Sequence, residues 1–184
     1  MWDSSVKVMG LAMKAGSLPE LPEITVPEPY GWRFYQPGDE KHWADMWVSA
    51  GAFRTVEDAL RTFANDFPDK DALTGRMIFL TDGGVPFATA TAWFGETQDE
   101  GRLHWVCIDE AHQGQGLSKI LIALALRLCG RLGYKSACLL TQTPCWVAIR
   151  MYRRFGFAPQ IRSDADREGW QIVSEKSGVG FLNH

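Results

Sequence analysis

Hydrophobic positions in the second half of the chain change their spacing several times. Residues 103–108 are rich in β-branched, aromatic and aliphatic side chains, which predicts a buried strand. Over residues 116–132 the apolar positions recur at three- and four-residue steps, which predicts a helix. A short strand is predicted at residues 136–141, followed by a helix with Thr143 as its N-cap and Gly156 as its stop. Strands and helices that alternate in this way are typical of a parallel sheet.

The first half of the chain predicts a different arrangement. Residues 31–35 alternate as a strand, and Thr55 is the predicted N-cap of a helix with an apolar face. Residues 77–81 and 85–94 flank an Asp-Gly-Gly turn, which predicts an antiparallel hairpin. The whole sequence therefore predicts an α/β fold with a mixed central sheet. We expect an antiparallel N-terminal half and a parallel C-terminal half, with helices on both faces.

Residues 1–29 form a proline-rich N-terminal extension. Its four prolines, Pro19, Pro22, Pro27 and Pro29, are incompatible with a regular helix. We expect an extended segment that is a surface strap, a partly mobile tail or an ordered leader.

Composition narrows the class of protein. A hydrophobic fraction of 46% with eight tryptophans in 184 residues is typical of one globular domain with a sizeable core. The net charge of −3 disfavours nucleic acid as a partner, because phosphate neutralisation needs a basic face. The four cysteines form no CxxC pair, so neither a metal site nor a disulfide framework is predicted. With no basic leader and no apolar run near ~18 residues, we expect a soluble cytoplasmic protein without a membrane partner.

A glycine-rich turn connects the predicted strand 103–108 to the helix that follows it. The turn reads Gln113-Gly114-Gln115-Gly116-Leu117-Ser118. Such a turn leaves several backbone N–H groups unpaired at the helix start, where the helix dipole adds positive character. This predicts a phosphate-binding site. Because most glycine turns are simply tight turns, the interpretation needs a second signal.

The second signal is the helix that begins after Thr143. Cys145, Ala148, Ile149 and Tyr152 fall on one of its faces, at positions i, i+3, i+4 and i+7. The apolar side of this helix therefore carries a tyrosine.

The two segments together resemble the GCN5-related N-acetyltransferase (GNAT) family. That family's signature is Gln or Arg, two residues, Gly, one residue, then Gly or Ala. Residues 113–118 match it with serine in the last place. The family's second motif, an Ala-Ile-x-x-Tyr helix closing in Gly-Phe, is matched by Ala148, Ile149, Tyr152, Gly156 and Phe157.

The resemblance covers Tyr30 to Glu175. It implies a GNAT-like acetyltransferase domain at residues 30–175, with the extension 1–29 before it and a C-terminal tail, 176–184, after it.

The resemblance also implies acetyl-CoA as cosubstrate, with no metal. The turn 113–118 would hold the pyrophosphate, and the strand edge 106–108 would pair with the pantetheine arm. Cys145 stands where an asparagine is frequent in the family, and it is a poorer hydrogen-bond donor. The implied cofactor-binding residues are Val106, Cys107, Ile108, Gln113, Gly114, Gln115, Gly116, Leu117, Ser118, Lys119, Cys145 and Tyr152.

Two residues are the candidates for moving protons. Tyr152 is implied as the donor to the departing thiolate, since a tyrosine pKa of about 10 lies above a thiol pKa of about 8.5; the alternative is a packing role. His104 is the candidate general base, because its ordinary pKa suits neutral pH. It shares strand parity with Val106, where some relatives carry a catalytic glutamate. The alternatives to His104 as base are a water chain and a carboxylate, and His104 itself has a purely structural interpretation. The candidate carboxylates are Asp109 and Glu110, followed by Glu96 and Glu100.

We therefore expect an N-acetyltransferase that transfers acetyl directly to an amine of a small molecule or peptide. The alternatives are a non-catalytic acyl-CoA-binding regulatory domain and an acyltransferase with another acyl donor. Acidic residues in the connections 37–70 and 92–102 weakly favour a cationic amine, but antibiotics, polyamines, amino acids and protein N-termini all remain open. A strand edge near the C-terminus would allow a homodimer.

Overall fold

A computed structural model describes residues 2–182 of the chain. The strands are β1 (Gly10–Ala15), β2 (Tyr30–Phe34), β3 (Met77–Asp82), β4 (Val85–Phe94), β5 (Glu100–Ile108), β6 (Ser136–Gln142) and β7 (Ala158–Gln160). The helices are α1 (Glu40–Ser49), α2 (Val56–Asp66), α3 (Lys70–Leu73), α4 (Leu117–Arg131), α5 (Trp146–Arg154) and α6 (Asp164–Ser177). Two short 3-10 turns, Glu110–His112 and Thr143–Cys145, precede α4 and α5.

The strands form one mixed sheet of seven, in the order β2-β3-β4-β5-β6-β1-β7. β3 is antiparallel to β2 and β4, whereas β5 and β6 are parallel. The predicted fold class, a mixed sheet flanked by helices, is confirmed. The described residues divide into a first unit, residues 21–93 and 103–131, and a second unit, residues 2–20, 94–102 and 132–182.

The first unit contains the predicted hairpin. Asp82 and Val85 are paired across its turn, which consists of Gly83 and Gly84 alone. Both glycines have positive φ, 54° and 85°. A two-residue turn with this backbone matches the twist of the strands on either side, and glycine adopts it without steric cost.

The core of the first unit is aromatic. Trp43 of α1, Phe63 of α2 and the buried ring of Phe67 pack against Met77 and Phe79 of β3. As predicted, Thr55 caps α2, because its hydroxyl accepts a hydrogen bond from Asp58 N at 3.1 Å. Burial of these side chains is the main favourable term for this unit.

The second unit contains a strand that was not predicted from the sequence. β1 lies within the N-terminal extension and pairs antiparallel with both β6 and β7. Leu11, Met13 and Ala15 alternate as its buried face, with exposed fractions of 3%, 0% and 0%. The sequence contains this alternation, but residues 1–29 were interpreted as a whole by their prolines. The first of these, Pro19, lies after the end of β1.

The predicted start of α5 was wrong by two residues. Thr143 does not cap this helix, which begins at Trp146. Its hydroxyl instead accepts a hydrogen bond from Met9 N at 3.0 Å and donates one to Lys7 O. Thr143 therefore anchors the chain that leads into β1, and this tertiary contact replaces the local cap.

The last described element, α6, is a helix that was also not predicted. Ser163 caps α6 by accepting from Asp166 N at 3.1 Å, and Gly178, at φ 67°, closes it. A Cβ atom at Gly169 would lie 2.9 Å from a methyl group of Leu11, so α6 packs closely on β1. Residues 183 and 184 of the predicted tail lie outside the described residues. Within residues 2–182, no helix combines the length and apolar character needed to cross a membrane.

Candidate functional site

The glycine-rich turn lies where the sequence predicted it, between β5 and α4. Gly114 and Gly116 have φ values of 78° and 79°. A Cβ atom at either position would meet no atom within 4 Å. Glycine is therefore required here by the left-handed backbone and not by lack of space. Because the open side of the turn is exposed, its backbone is accessible to a ligand.

The turn ends at the start of a long helix. α4 has fifteen residues and carries no acidic side chain in its first turn. Leu117 is buried, Ser118 is half-buried and Lys119 is exposed. The positive end of the helix dipole is thus not neutralised by the helix's own carboxylates, and Lys119 adds a cation beside it. This arrangement suits an anionic ligand such as a phosphate.

Side-chain hydrogen bonds fix both ends of the turn. The amide of Gln113 donates to the carbonyl of Ile108, the last residue of β5, at 3.0 Å. Gln115 accepts a hydrogen bond from the hydroxyl of Tyr30 at 2.8 Å. The two glutamines of the motif therefore connect the turn to β5 and to β2, and the backbone between them is held in one conformation.

His112 lies immediately before the turn and is held in place by its neighbours, a role that the sequence did not reveal. Its Nδ1 lies 2.6 Å from a carboxylate oxygen of Asp109, which also caps the short helical turn at Glu110–His112. Its ring stacks on Phe87 at a centroid distance of 4.0 Å. The side chain is thus held by a carboxylate and an aromatic face immediately before Gln113.

Strand β5 is distorted at Trp105, the one non-glycine residue among residues 2–182 with a positive φ, 50°. A positive φ interrupts the regular geometry of a strand. The neighbours His104 and Trp105 both contact Asp66 at the end of α2, with Trp105 Nε1 donating at 2.7 Å and His104 Nε2 at 3.7 Å from the same oxygen. The parity of His104 with Val106, which assumes regular alternation across Trp105, stays a prediction.

His104 lies beside an aromatic cluster. Its ring is 5.5 Å from that of Phe67, and Trp105 packs edge-on against Trp43 and Trp47 at 5.1 and 4.8 Å. His104 is half-buried, with a side-chain exposure of 19% against 37% for Asp66. An imidazole in this position is close to solvent and to a carboxylate.

Cys107 has the properties of a core residue. Burial raises the pKa of its thiol to about 12, and its sulfur lies 3.9 Å from the carbonyl of Met46. The thiol remains protonated at neutral pH and contributes packing. Any role of Cys107 in binding must therefore come from its backbone.

Tyr152 and Cys145 both belong to the second unit. Tyr152 lies on the buried side of α5 next to Ile149, as predicted, and is 8% exposed. Its ring meets Phe157 edge-on at 6.1 Å. Gly156, at φ 85°, ends the helix. The Ala-Ile-x-x-Tyr…Gly-Phe segment thus forms the helix and the stop that the sequence indicated.

Cys145 immediately precedes α5 and is half-buried. Burial raises the pKa of its thiol above the ordinary value, although hydrogen bonds from its surroundings partly oppose this. A thiol with a raised pKa is a poor nucleophile.

The parallel pairing of β5 with β6 is short. It runs from Glu100 opposite Ser136 to Arg102 opposite Cys138. Strand β5 itself continues beyond this pairing to Ile108. The predicted site residues of the first unit, His104 to Lys119, thus come from the part of this strand that is not paired with β6 and from the turn that follows it.

Comparison with known proteins identifies the class. The model of the acetyltransferase (GNAT) family matches residues 41–157 of the chain. The chain therefore belongs to the GNAT family of acetyltransferases. No curated protein matches the sequence.

Solved structures with the same fold include several members of this family. A GCN5-related N-acetyltransferase from Sphaerobacter thermophilus has a TM-score of 0.64 at 18% identity, and the match covers 83% of this chain and 48% of that one. An acetyltransferase from Colwellia psychrerythraea has a TM-score of 0.61 at 12% identity, with 84% and 54% covered. Ard1 from Thermoplasma volcanium has a TM-score of 0.59 at 18% identity, with 74% and 91% covered. The chain spans about half the length of the first of these relatives.

Proposed function

We propose that the chain is an acetyl-CoA-dependent N-acetyltransferase that transfers acetyl directly to an amine of a small molecule or peptide. The observation that carries the proposal is the turn 113–118, in which two left-handed glycines lead into a helix whose first turn lacks carboxylates. The membership of the GNAT family supports it. Backbone N–H groups of this turn, with Lys119 beside them, are the proposed ligands of the pyrophosphate.

The pantetheine arm is proposed to pair with the edge of β5 at residues 106–108. The end of the β5–β6 pairing at Arg102 supports this, because the strand continues to Ile108. An extended arm bearing amide groups can hydrogen-bond to a strand edge as an added strand does. Backbone N–H groups near Cys107 and Ile108 are the proposed donors to the thioester oxygen, which gains negative charge in the transition state.

The reaction requires two proton transfers. The amine nitrogen attacks the thioester carbon, the C–S bond breaks, and the acetyl group remains on nitrogen. His104 is the proposed acceptor of the amine's proton, supported by its partial exposure and by the Asp66 carboxylate 3.7 Å from its Nε2. Tyr152 is the proposed donor of a proton to the departing thiolate.

Labelled acetyl-CoA tests the proposal whatever the identity of the acceptor. The purified chain is incubated with deuterated acetyl-CoA and an extract of the source cells, and small molecules and proteins are analysed by mass spectrometry. We expect the label in one amine. Tyr152→Phe should slow the chemical step and leave acetyl-CoA affinity near that of the wild type, while Tyr134→Phe serves as the matched control outside the motif. If Tyr152→Phe weakens binding and turnover equally, the proton-donor role is wrong.

The same assay distinguishes the alternatives. Binding of acetyl-CoA without any labelled product would favour an acyl-CoA-binding regulatory domain. Label from a longer acyl-CoA but not from acetyl-CoA would favour another acyl donor. For His104, a His104→Gln variant that keeps the wild-type pH–rate profile would exclude the base role.

A further inference from the structure

The second unit contains a small cavity that the proposed acetyl transfer does not use. Its volume is about 60 Å³, and its wall is formed by residues of β1, β5, β6 and β7. The lining combines apolar side chains with charged and polar ones. The latter include Lys14, Glu100, Arg102, Cys138, Gln160 and Arg162.

One pair of these charges is already compensated. Lys14 Nζ lies 2.7 Å from Glu100 Oε1, and the other carboxylate oxygen accepts a hydrogen bond from Glu96 N at 3.3 Å. The side chain of Glu100 is 4% exposed. Burial acts to raise its pKa, but the hydrogen bonds from Lys14 and Glu96 N outweigh it and hold the pKa below the ordinary value. Glu100 is thus a buried anion whose charge is compensated by the ion pair with Lys14.

Arg102 is not compensated in this way. It stands on the same strand face as Glu100 and opposite Cys138 of β6, and it is half-buried. Among residues 2–182, no carboxylate lies within ion-pair distance of its guanidinium. Its Nε is enclosed and has no hydrogen-bond acceptor there. A guanidinium that is partly removed from water is usually paired with a carboxylate, because desolvation of an unpaired charge costs free energy.

The other neighbours do not replace that acceptor. The Cys138 sulfur next to Arg102 is a weak acceptor. Burial raises the pKa of this thiol to about 11, with the Glu100 carboxylate adding to the effect, so it carries no negative charge at neutral pH. Arg162 adds a second cation to the lining, and its own nearby anion, Asp166, bonds to the Arg162 backbone N at 2.9 Å. Within residues 2–182, the guanidinium of Arg102 is therefore left without a carboxylate partner.

We propose that this cavity binds a small α-amino acid, with Arg102 as the principal ligand of its carboxylate. The planar fork of a guanidinium matches a carboxylate in geometry and charge. A volume of about 60 Å³ holds about four to six non-hydrogen atoms, at ~10–15 Å³ for each water-sized group. The ammonium, α-carbon and carboxylate of an amino acid have this size. Glu96 lines the same cavity, is exposed and makes no salt bridge within residues 2–182, so it is the acceptor for the ammonium group.

Cys138 provides a reporter inside the cavity wall. The rate at which the intact chain is alkylated at Cys138 is followed by mass spectrometry, with Cys145 as the internal reference thiol. The probes are glycine, acetate and ethylamine at constant ionic strength, without acetyl-CoA. We expect glycine to slow the alkylation of Cys138 most, acetate less and ethylamine least, because the carboxylate provides the main contact and the ammonium adds to it.

Variants test the assignment of Arg102. Arg102→Gln should weaken protection by glycine about 10- to 100-fold in apparent affinity, the usual effect of removing a hydrogen bond to a charged group. Arg102→Lys keeps the charge without the fork and should be intermediate. Arg167→Gln, on the exposed side of α6, is the matched control and should behave like the wild type.

Several outcomes would overturn the proposal. They are no protection by glycine or acetate at about 100 mM, equal protection by ethylamine, and unchanged protection in Arg102→Gln. If Arg102→Gln does not fold, the wild-type ligand series and Arg102→Lys still decide. Because no acetyl transfer is measured, a failure of the proposed enzymatic function leaves this result unaffected, and the reverse also holds.

Discussion

Replacement of Gly114 by alanine tests whether the shape of the turn produces the proposed affinity for acetyl-CoA. Gly114 has a φ of 78°, and a Cβ atom there would meet nothing within 4 Å. The substitution therefore adds backbone strain without a steric clash. An alanine in this left-handed region costs about 1–2 kcal/mol. If the free turn relaxes to avoid the strain, binding must restore it, and the affinity should fall about 5- to 30-fold.

Two further variants make the measurement specific. Gly133, after α4, has a φ of 89° and equally open surroundings, but it lies outside the turn. Gly133→Ala should lower the free energy of unfolding by a similar amount and leave the affinity unchanged. Gly114→Asn should bind better than Gly114→Ala, because asparagine tolerates the left-handed region more readily.

Isothermal titration calorimetry with acetyl-CoA gives the affinity of each variant, and urea denaturation gives its free energy of unfolding. Wild-type affinity in a folded Gly114→Ala protein would refute the reasoning, since the conformation of the turn would then not matter for binding. An equal loss of affinity in Gly133→Ala would also refute it, because the effect would then reflect general destabilisation.

Two other variants test the folding contacts. The pKa of Asp39 is held below its ordinary value because hydrogen bonds from Arg33, at 2.5 and 2.8 Å, and from Gln36 N outweigh the opposing effect of burial. Asp39→Asn should lower the free energy of unfolding by about 1–3 kcal/mol at pH 7. The difference from the wild type should shrink as the pH falls through the carboxyl's folded pKa, because a depressed pKa stabilises the fold only above that range; urea denaturation at pH 7 and pH 3 measures this. A difference that is the same at both pH values would contradict the assignment. Thr143→Val should cost about 1–2 kcal/mol and speed hydrogen exchange at the Met9 amide, and unchanged exchange would show that the Thr143 hydroxyl does not hold the chain before β1.

Local signals in the sequence predicted much of the fold. The Asp-Gly-Gly hairpin, helix α4 and the cap at Thr55 each depend on residues within a few positions of one another, and the structure contains all three. The turn 113–118 was predicted for the same reason, since its glycines and the helix after it are neighbours in the chain.

Features that depend on distant residues could not be predicted in this way. Strand β1 depends on pairing with β6, which lies more than a hundred residues later in the chain. Thr143 does not cap α5, because its hydroxyl forms hydrogen bonds with the backbone of Lys7 and Met9. The surroundings of His104 depend on Asp66, from another element. Nothing in the identity of Trp105 indicates a positive φ, so the irregularity of β5 at this residue could not be predicted.

The position of β1 in the sheet has a consequence for synthesis of the chain. β1 is translated before the other six described strands, whereas both of its partners, β6 and β7, are translated after β5. At ~5–20 residues per second, the interval between residues 15 and 160 lasts about 7–30 s. During this time Leu11 and Met13 cannot be buried in their native places. Until then the nascent chain exposes an unpaired apolar strand, which makes this segment a target for chaperones and a place where misassembly between neighbouring nascent chains would start.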